Sequence, residues 1–203
     1  MQIENLYPGG FAANCYLVTV KDAAVLIDCT APAARVLDAL KRHGATLRAI
    51  LLTHGHFDHM LTVQELTAAT GAPVFLAASD RDLPCDGKKN AFSVFFGYEK
   101  AYPEADVLFL PGGELSFGGL SVSTQGTPGH TRGSVIYLIG DVAFTGDTLF
   151  ANGYGRYDLY GGDGDALLNS LKALATLPCD TVIYPGHGES EVLSVALTKL
   201  SID

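Results

Sequence analysis

Three of the six histidines in the chain fall within six residues, in the segment THGHFDH at residues 53–59. Imidazole nitrogens and carboxylate oxygens bind divalent transition metals, so His54, His56, Asp58 and His59 have the ligand types of a metal site. His54 and His56 are two residues apart and cannot share one helical face, whereas a turn from a strand into a helix would bring all four together. Unless a metal binds them, polar groups packed beside an apolar strand would cost about 2–7 kcal/mol each.

Three more residues of metal-binding type follow apolar segments elsewhere in the chain. His130 ends TPGH, Asp147 ends FTGD and His187 ends YPGH, each after a segment that predicts a strand. Ligand sites gather at the carboxyl ends of strands in sheets covered by helices, so we expect these residues to meet the first group. Imidazoles and carboxylates without a thiolate suit zinc, iron, manganese or nickel, and the sequence does not choose among these metals. The sequence therefore predicts seven metal ligands: His54, His56, Asp58, His59, His130, Asp147 and His187.

Apolar segments with strand character alternate with amphipathic segments along the chain. The pattern predicts strands at residues 14–20, 23–29, 47–53, 72–77, 134–140, 141–146 and 180–185, and a hairpin at 114–124. It predicts helices at residues 32–42, 61–70, 165–177 and 189–200. His43, at the end of the first helix, is expected only to interact with the helix dipole or with solvent. No linker or repeat interrupts the alternation, so we expect a single domain over residues 1–203.

Composition disfavours several classes of protein. Hydrophobic residues make up 48% of the 203 residues and charged residues only 17%, and no apolar stretch approaches the ~20 residues of a membrane span. The first ten residues lack the basic and apolar regions of a secretory signal. We therefore expect a cytoplasmic protein that does not bind a membrane. The formal net charge of −9 opposes binding to nucleic acid phosphates. The cysteines have no C-x-x-C spacing and are expected to be free buried thiols: Cys15, Cys29, Cys85 and Cys179.

Four segments occur in an order that resembles a known family. THGHFDH, GHTRGS, GDTLF and PGHG resemble the motifs of the metallo-β-lactamase superfamily, and more closely those of its glyoxalase II-type members, the hydroxyacylglutathione hydrolases. The resemblance implies an α/β fold, an αββα four-layer sandwich with the metals at one edge of two facing sheets. It also implies two divalent metals, with zinc expected and iron or manganese as alternatives. By motif, one metal would be bound by His54, His56 and His130 and the other by Asp58, His59 and His187, with Asp147 bridging them.

The resemblance further implies a reaction, the hydrolysis of a small thioester. A hydroxide held between the two metals would be the nucleophile, and Asp58 would orient it or relay its proton. Arg156, in GYGRYDLYGG, stands where the family has a basic residue that contacts a substrate carboxylate; the alternative is an ion pair with Asp158. Asp28, at the end of VLID, resembles an aspartate of the family that supports the metal ligands; the alternative is an ordinary strand-end aspartate. We therefore expect a small anionic thioester or thiol-derived substrate.

Some features depart from the best-known members of the superfamily. Secreted β-lactamases of the best-known type have a cysteine where this chain has Asp147, which argues against the hydrolysis of antibiotics. The chain stops at Asp203, whereas glyoxalase II has a helical C-terminal domain that helps to hold glutathione. The chain thus resembles the shorter bacterial members, and the thiol carrier stays open. The aromatic segment at residues 88–105 predicts a pocket wall, a dimer contact or core packing.

Three other functions stay open from the sequence. A persulfide dioxygenase of the same fold would bind one iron through His54, His130 and Asp147, although such enzymes usually have a threonine where this chain has Tyr157. A phosphodiesterase or RNA-processing hydrolase is disfavoured by the acidic net charge. A metal-dependent binding or sensor module would need an incomplete ligand set, and no expected ligand is missing. The sequence also leaves open whether the chain forms a homo-oligomer.

Overall fold

The computed structural model describes residues 1–6 and 10–200, and within these ranges twelve strands form two six-stranded sheets. The first sheet contains six strands in the order of the chain: β1 Gln2–Asn5, β2 Tyr16–Val20, β3 Ala23–Ile27, β4 Thr46–Leu51, β5 Val74–Ala77 and β6 Val107–Phe109. The pairs β1–β2 and β2–β3 are antiparallel, and the other pairs are parallel. Because β3, β4 and β5 run in one direction, the loops that follow them leave from the same edge of the sheet.

The second sheet contains the other six strands, also in the order of the chain: β7 Glu114–Phe117, β8 Leu120–Gly126, β9 Val135–Ile139, β10 Val142–Gly146, β11 Val182–Pro185 and β12 Glu191–Val192. The strands β10 and β11 are parallel, and the other pairs are antiparallel. Both β8 and β10 are antiparallel to β9, so β8, β10 and β11 run in one direction. Their carboxyl ends therefore lie at one edge of this sheet.

Helices cover the outer faces of the two sheets. In the described ranges the α-helices are α1 Ala33–His43, α2 Val63–Thr70, α3 Phe92–Phe96, α4 Gly164–Leu174 and α5 Leu193–Thr198. The first three pack on the first sheet, and α4 and α5 pack on the second. Two short 3₁₀ turns, Phe57–His59 and Ala78–Asp80, follow β4 and β5. None of the helices among the described residues is long and apolar enough to cross a bilayer.

Alternating side chains on the strands build the layers. In β3, Val25 and Ile27 belong to the core between the two sheets, whereas Leu26 belongs to the core under the helices of the first sheet. On the outer face of the second sheet, Ile183 of β11 packs with Leu171 of α4. A large apolar side chain that is fully buried in this way contributes about 1.5–3 kcal/mol. The expected αββα four-layer sandwich is therefore confirmed.

Most predicted elements occur within a few residues of their predicted bounds, and the departures have local causes. The strands β1 and β6 are not predicted by the sequence pattern, because they are short, partly exposed and at the two edges of their sheet. The helix predicted at residues 189–200 is wrong at its start, since β12 pairs with β11 there and α5 begins at Leu193. The segment at residues 85–103 is irregular apart from the five-residue α3.

The prediction of four buried thiols is wrong for two of them. Cys15 and Cys29 are buried, whereas Cys85 and Cys179 are exposed in turns. Burial raises the pKa of Cys15 to about 11, so this thiol is uncharged at neutral pH. The burial of Cys85 and Cys179 is predicted wrongly because the spacing of cysteines carries no information on which turns face solvent.

The buried carboxylate of Asp80 ties the two sheets together at the edge where their loops meet. Its Oδ2 accepts hydrogen bonds from Gly55 N at 3.0 Å and from Thr131 Oγ1 at 2.7 Å, and its Oδ1 accepts one from Gly133 N at 2.7 Å. Gly55 follows β4 of the first sheet, whereas Thr131 and Gly133 lie between β8 and β9 of the second. Asp80 is not predicted from the sequence, because nothing in ASDRDL distinguishes it from Asp82 or relates it to the ligand motifs.

Removal of the Asp80 carboxylate is expected to weaken this tie. Asp80→Ala leaves two backbone N–H groups and one hydroxyl without their acceptor, so the free energy of unfolding should fall by about 3–5 kcal/mol. Urea unfolding in the presence of a chelator measures this loss without a contribution from metal. Asp82→Ala is the matched control, because Asp82 is exposed and forms a surface ion pair with Lys89; about 0.5 kcal/mol or less should be lost there. Equal losses in the two variants would contradict the role of Asp80.

Candidate metal centre

Polar side chains from both sheets meet where the loops after four strands come together. The loops follow β4, β8, β10 and β11, and they carry, in this order, His54, His56, Asp58 and His59; His130; Asp147; and His187. The sequence predicts these residues at one site, and the structure brings all seven together. Their ligand atoms form three overlapping groups that could each hold a metal ion, with the atoms of a group within 4.8 Å of one another.

The imidazoles of His54, His56 and His130 form the first group. His56 Nδ1 lies 3.1 Å from His54 Nε2 and 2.9 Å from His130 Nε2, and the two Nε2 atoms lie 3.1 Å apart. Three nitrogens at these separations cannot all be satisfied by hydrogen bonds to one another. The ligand atoms of a tetrahedral zinc, at about 2.0–2.1 Å from the metal, are about 3.3 Å apart. The spacing of the three nitrogens therefore fits a shared cation.

The second group contains Asp58, His59 and His187, and Asp147 lies between the two groups. His187 Nε2 is 3.3 Å from Asp58 Oδ2. Asp147 Oδ1 is 3.2 Å from His59 Nε2, and Asp147 Oδ2 is 3.6 Å from His187 Nε2 and 3.7 Å from His130 Nε2. The two oxygens of one carboxylate thus face both groups.

Hydrogen bonds on the outer side of two rings determine which nitrogen carries the lone pair. His130 Nδ1 donates to the backbone carbonyl of Arg156 at 2.6 Å, and His59 Nδ1 donates to Asp28 Oδ2 at 2.7 Å. In the neutral ring the proton is then on Nδ1, and Nε2 presents its lone pair to the centre. Metal-binding histidines are oriented by hydrogen bonds of this type.

Several buried polar atoms of the centre have no hydrogen-bond partner. Among the described residues, five buried side-chain nitrogens or oxygens lack one, and three of these belong to the centre: His56 Nε2, His59 Nε2 and Asp147 Oδ1. His59 Nε2 and Asp147 Oδ1 lie 3.2 Å apart but without the geometry of a hydrogen bond. Each buried polar atom without a hydrogen-bond partner lowers the free energy of unfolding by about 1–3 kcal/mol. A divalent cation would satisfy the last two atoms, so the residues present fit such a metal.

Burial keeps two of the histidines neutral. The pKa of His54 is lowered well below its usual value by burial and by the charges of His59 and His130. Burial and the charge of His130 lower the pKa of His56 to about 3. Because the neutral imidazole is the form that binds metals, both rings are in the ligand form at neutral pH.

Carboxylates control the protonation of the other half of the centre. Burial lowers the pKa of His59, but Asp28 and Asp147 outweigh it and raise this pKa well above its usual value. Burial raises the pKa of Asp147, but the charge of His59 and, to a smaller extent, the charges of His130 and His187 outweigh it and lower this pKa. A proton on His59 therefore supplies positive charge beside Asp147 where a metal would bind. Metal binding would release this proton.

Asp28 connects β3 to the ligand segment that follows β4. Its Oδ1 accepts from Thr53 N at 2.8 Å, and its Oδ2 accepts from Thr53 Oγ1 at 2.9 Å and from His59 Nδ1. Since the Thr53 hydroxyl donates to Asp28, its oxygen is free to accept from His54 Nδ1 at 3.2 Å, which leaves the His54 Nε2 lone pair toward the centre. Asp28 has a φ of 58°, in the left-handed region that aspartate tolerates better than most residues.

The turn that carries His187 is held by the segment that leads into β2 of the first sheet. The backbone N–H of Asn14 donates to Gly186 O at 2.7 Å, and its Nδ2 donates to Pro185 O at 2.9 Å. Glycine is required at position 186, because a Cβ there would lie 2.2 Å from Asp147 Oδ1. Asn14 is not predicted from the sequence, because it has no spacing relation to the ligand motifs.

Arg156 borders the centre, but its guanidinium is already engaged. Its Nε and one terminal nitrogen donate to the two carboxylate oxygens of Asp158, each at 2.7 Å. The ion pair with Asp158, which the sequence left open as the alternative, is therefore present. Binding of a substrate carboxylate by Arg156 stays a prediction.

A cavity of about 320 Å³ opens directly onto the centre. Its polar lining consists of His56, Asp58, His130, Asp147, Arg156 and His187. Its apolar lining consists of Phe11, Ala91, Phe95, Phe150 and Leu159. The aromatic segment at residues 88–105 thus contributes to a pocket wall through Phe95 and to the core through the buried Phe92.

Some of the curated relatives of similar sequence have names that describe hydrolases, and others are named only as uncharacterized proteins. The probable metallo-hydrolase YqgX of Bacillus subtilis (strain 168) is 36% identical over 198 residues, which cover 96% of this chain and 94% of YqgX. A protein of Brucella anthropi named hydroxyacylglutathione hydrolase is 36% identical over 193 residues, which cover 93% of this chain and 66% of that hydrolase.

Solved structures with the same fold have more varied descriptions. BLEG-1, described as a B3 metallo-β-lactamase, matches with a TM-score of 0.89 and 33% identity over 97% of both chains. TTHA1623, described in a di-iron-bound form, matches with a TM-score of 0.80 and 33% identity over 99% of both chains. ETHE1 from Myxococcus xanthus matches with a TM-score of 0.78 and 30% identity over 96% of this chain and 80% of ETHE1.

The sequence profile of the metallo-β-lactamase superfamily matches residues 8–187, a range that contains all seven ligand-type residues of the centre. The two facing sheets and the position of the centre at their shared edge agree with this match. The chain therefore belongs to the metallo-β-lactamase superfamily and is a metal-dependent hydrolase with a histidine-rich candidate site.

Proposed function

We propose that the protein is a dinuclear metal-dependent hydrolase of small thioesters. The observation that carries the proposal is that Asp147 lies between two groups of ligand-type residues, one on each side, and that these groups open into one cavity. The similarity to a protein named hydroxyacylglutathione hydrolase supports the thioester as the substrate class. The match to YqgX over nearly its full length supports the broader class of metallo-hydrolase.

The donor atoms divide between two divalent metals in this proposal. One would be held by His54, His56 and His130, the other by Asp58, His59 and His187, and both by Asp147. Sites rich in imidazole suit zinc, with iron or manganese as alternatives; the similar TTHA1623 is described in a di-iron-bound form. When bound, the two cations supply a water nucleophile at neutral pH and polarise the substrate carbonyl.

Asp58 is the residue of the chain that we assign to proton transfer. Hydrolysis adds water to the carbonyl carbon and breaks the C–S bond, which gives a carboxylic acid and a thiol. Burial raises the pKa of Asp58, but the hydrogen bond from His187 and the charge of His59 outweigh it and lower this pKa. Asp58 is then a carboxylate that lines the cavity, orients the attacking water and accepts its proton. A thiol leaving group, with a pKa of about 8.5, needs little help from an acid.

Persulfide dioxygenation is the second candidate. It is supported by the similarity to ETHE1, a persulfide dioxygenase that is 30% identical to the chain. One iron would be held by His54, His130 and Asp147, and the remaining ligand-type residues would have no catalytic metal. That reaction consumes oxygen, whereas hydrolysis does not. The similarity to BLEG-1 adds β-lactams as a further class of substrate to assay.

Anaerobic assays separate these reactions. We expect the zinc- or manganese-loaded protein to release thiol from S-lactoylglutathione or a simpler acylthiol in the absence of oxygen, because water is the only co-substrate of hydrolysis. Oxygen uptake with glutathione persulfide by the iron form, without thioester turnover by any metal form, would replace hydrolysis by dioxygenation. Turnover of a β-lactam alone would also contradict the proposal.

Asp58→Ala and His43→Ala are the matched variants for this assay. Asp58→Ala should lower kcat by about 100-fold or more, because it removes a metal ligand and the proton acceptor. His43→Ala should keep its activity, because His43 pairs with Glu4 at 2.8 Å and does not line the cavity. Equal turnover by both variants would remove Asp58 from the mechanism.

Arg156 is proposed to contact an anionic group of the substrate through the edge of the guanidinium that Asp158 leaves free. Arg156→Ala should raise KM for an anionic thioester by about two- to fivefold, because the exposed contact is worth less than a buried one, and it should lower kcat less. Asp158→Asn should lower the same KM, because it removes the competing carboxylate. An unchanged KM in both variants would leave Arg156 as a structural partner of Asp158.

A further inference from the structure

One wall of the cavity is aromatic and is joined to the ligand segment. Phe11 and Phe95 pack edge to face with ring centroids 5.5 Å apart. Both contact Phe57, whose ring centroid is 5.7 Å from that of Phe11 and 5.8 Å from that of Phe95. Phe57 is buried in the 3₁₀ turn that also carries Asp58. We call Phe11 and Phe95 the aromatic wall.

The aromatic wall keeps a large area in contact with solvent. Phe11 is 54% exposed and Phe95 is 45% exposed, although both line the cavity beside the centre. Phe150 and Leu159 add further apolar surface to the same cavity. Apolar surface leaves water favourably when a ligand covers it, so the cavity is suited to an apolar group next to the reacting carbonyl.

The cavity offers little net charge to an anionic group. Among the described residues that line it, Arg156 is the one with a permanent positive charge, and Asp158 binds its guanidinium at two points. The guanidinium carbon of Arg156 also lies 5.9 Å from the ring centroid of Phe95, so the planar group continues the wall. An anionic group of a substrate would therefore contact only the edge of Arg156 that Asp158 leaves free, and most of the remaining contacts on this side are apolar.

We propose that the aromatic wall selects thioesters that carry an uncharged apolar group of several carbon atoms. This inference rests on the thioester hydrolysis proposed above and names the substrate class of that site. The apolar group lies on Phe11 and Phe95 while the carbonyl lies beside His56 and Asp58, which line the same cavity. The apolar group is either the acyl chain or the thiol substituent, and the two are separated by experiment.

Two series of substrates test the proposal with the metal-loaded full chain. In one series the acyl group of an S-acyl-N-acetylcysteamine grows from acetyl to octanoyl, and in the other the alkyl group of an S-alkyl thioacetate grows by the same steps. In the series whose variable group lies on the aromatic wall, we expect kcat/KM to rise about fourfold for each methylene that contacts the wall. Turnover with a flat dependence in both series would overturn the inference and leave thioester hydrolysis standing.

Binding without turnover provides an independent readout. Calorimetric titration with S-alkyl-N-acetylcysteamine thioethers, which cannot be hydrolysed, should show Kd falling about fourfold per methylene that contacts the wall. This dependence in a protein that turns over no thioester would support the wall and contradict the proposed hydrolysis. A Kd that does not change with alkyl length would overturn the wall as a binding surface.

Phe95→Ala and Tyr98→Ala are the matched variants. Phe95→Ala should reduce the dependence on chain length to less than about twofold per methylene, and Phe95→Leu should keep most of it, because it keeps an apolar surface. Tyr98 is 63% exposed in the same segment and does not line the cavity, so Tyr98→Ala should keep the full dependence. An unchanged dependence in Phe95→Ala would overturn the inference. The unmodified chain could instead form a dimer and show no dependence of kcat/KM on chain length. If Phe95→Ala then dissociates this dimer, the aromatic wall is a contact between two copies of the chain, and the inference is overturned.

Discussion

The lone pairs of His54, His59 and His130 converge on one buried space, and the Nε2 atom of His59 has no hydrogen-bond partner there. Asp147 adds a carboxylate oxygen that is equally unmet. Buried lone pairs and negative charge at such distances repel one another and have lost their water, so the arrangement is stable only with positive charge in the space. Protons supply part of this positive charge. A divalent cation stabilises the arrangement better, because one ion is coordinated by several ligands at once.

The need to hold these groups against repulsion explains the bonds around the centre. The ligand loops leave two different sheets. Asp80 joins the segments after β4 and β8, and Asn14 joins the segment before β2 to the turn after β11. Asp28 holds the segment after β4 to the end of β3 in the same sheet. None of the three is counted among the seven ligand-type residues. They hold the donor atoms in place before a metal arrives, and sites held in this way bind metal and orient substrate better than mobile ones.

The candidate ligands could be predicted from the sequence because their signal is local. THGHFDH places four donors in one segment, and His130, Asp147 and His187 each follow an apolar strand. The layered fold followed from the family resemblance, and alternation of strands and helices agreed with it. The edge strands β1 and β6 escaped prediction because partly exposed strands lack a regular apolar pattern.

Of the three supporting residues, Asp28 is expected from the family resemblance, whereas Asn14 and Asp80 could not be predicted, because their partners are distant in the sequence. Asn14 and Pro185 are 171 residues apart, and Asp80 and Gly133 are 53 apart. A single sequence has no feature that marks such pairs. The aromatic wall is similar, because Phe11 and Phe95 are 84 positions apart in the sequence and become neighbours only where both pack on Phe57. The ion pair of Arg156 with Asp158 is local and could be proposed as an alternative, but its geometry required the structure.

The number of divalent cations bound per chain tests the central claim most directly. Native mass spectrometry of the protein, stripped with a chelator and reloaded with zinc, manganese or iron, gives this number. Seven donors, with Asp147 between two groups of three, predict two metals per chain, and mass action predicts stabilisation by about 4 kcal/mol at free metal 1,000-fold above Kd. A protein that binds at most one metal after reloading with any of the three would contradict the account.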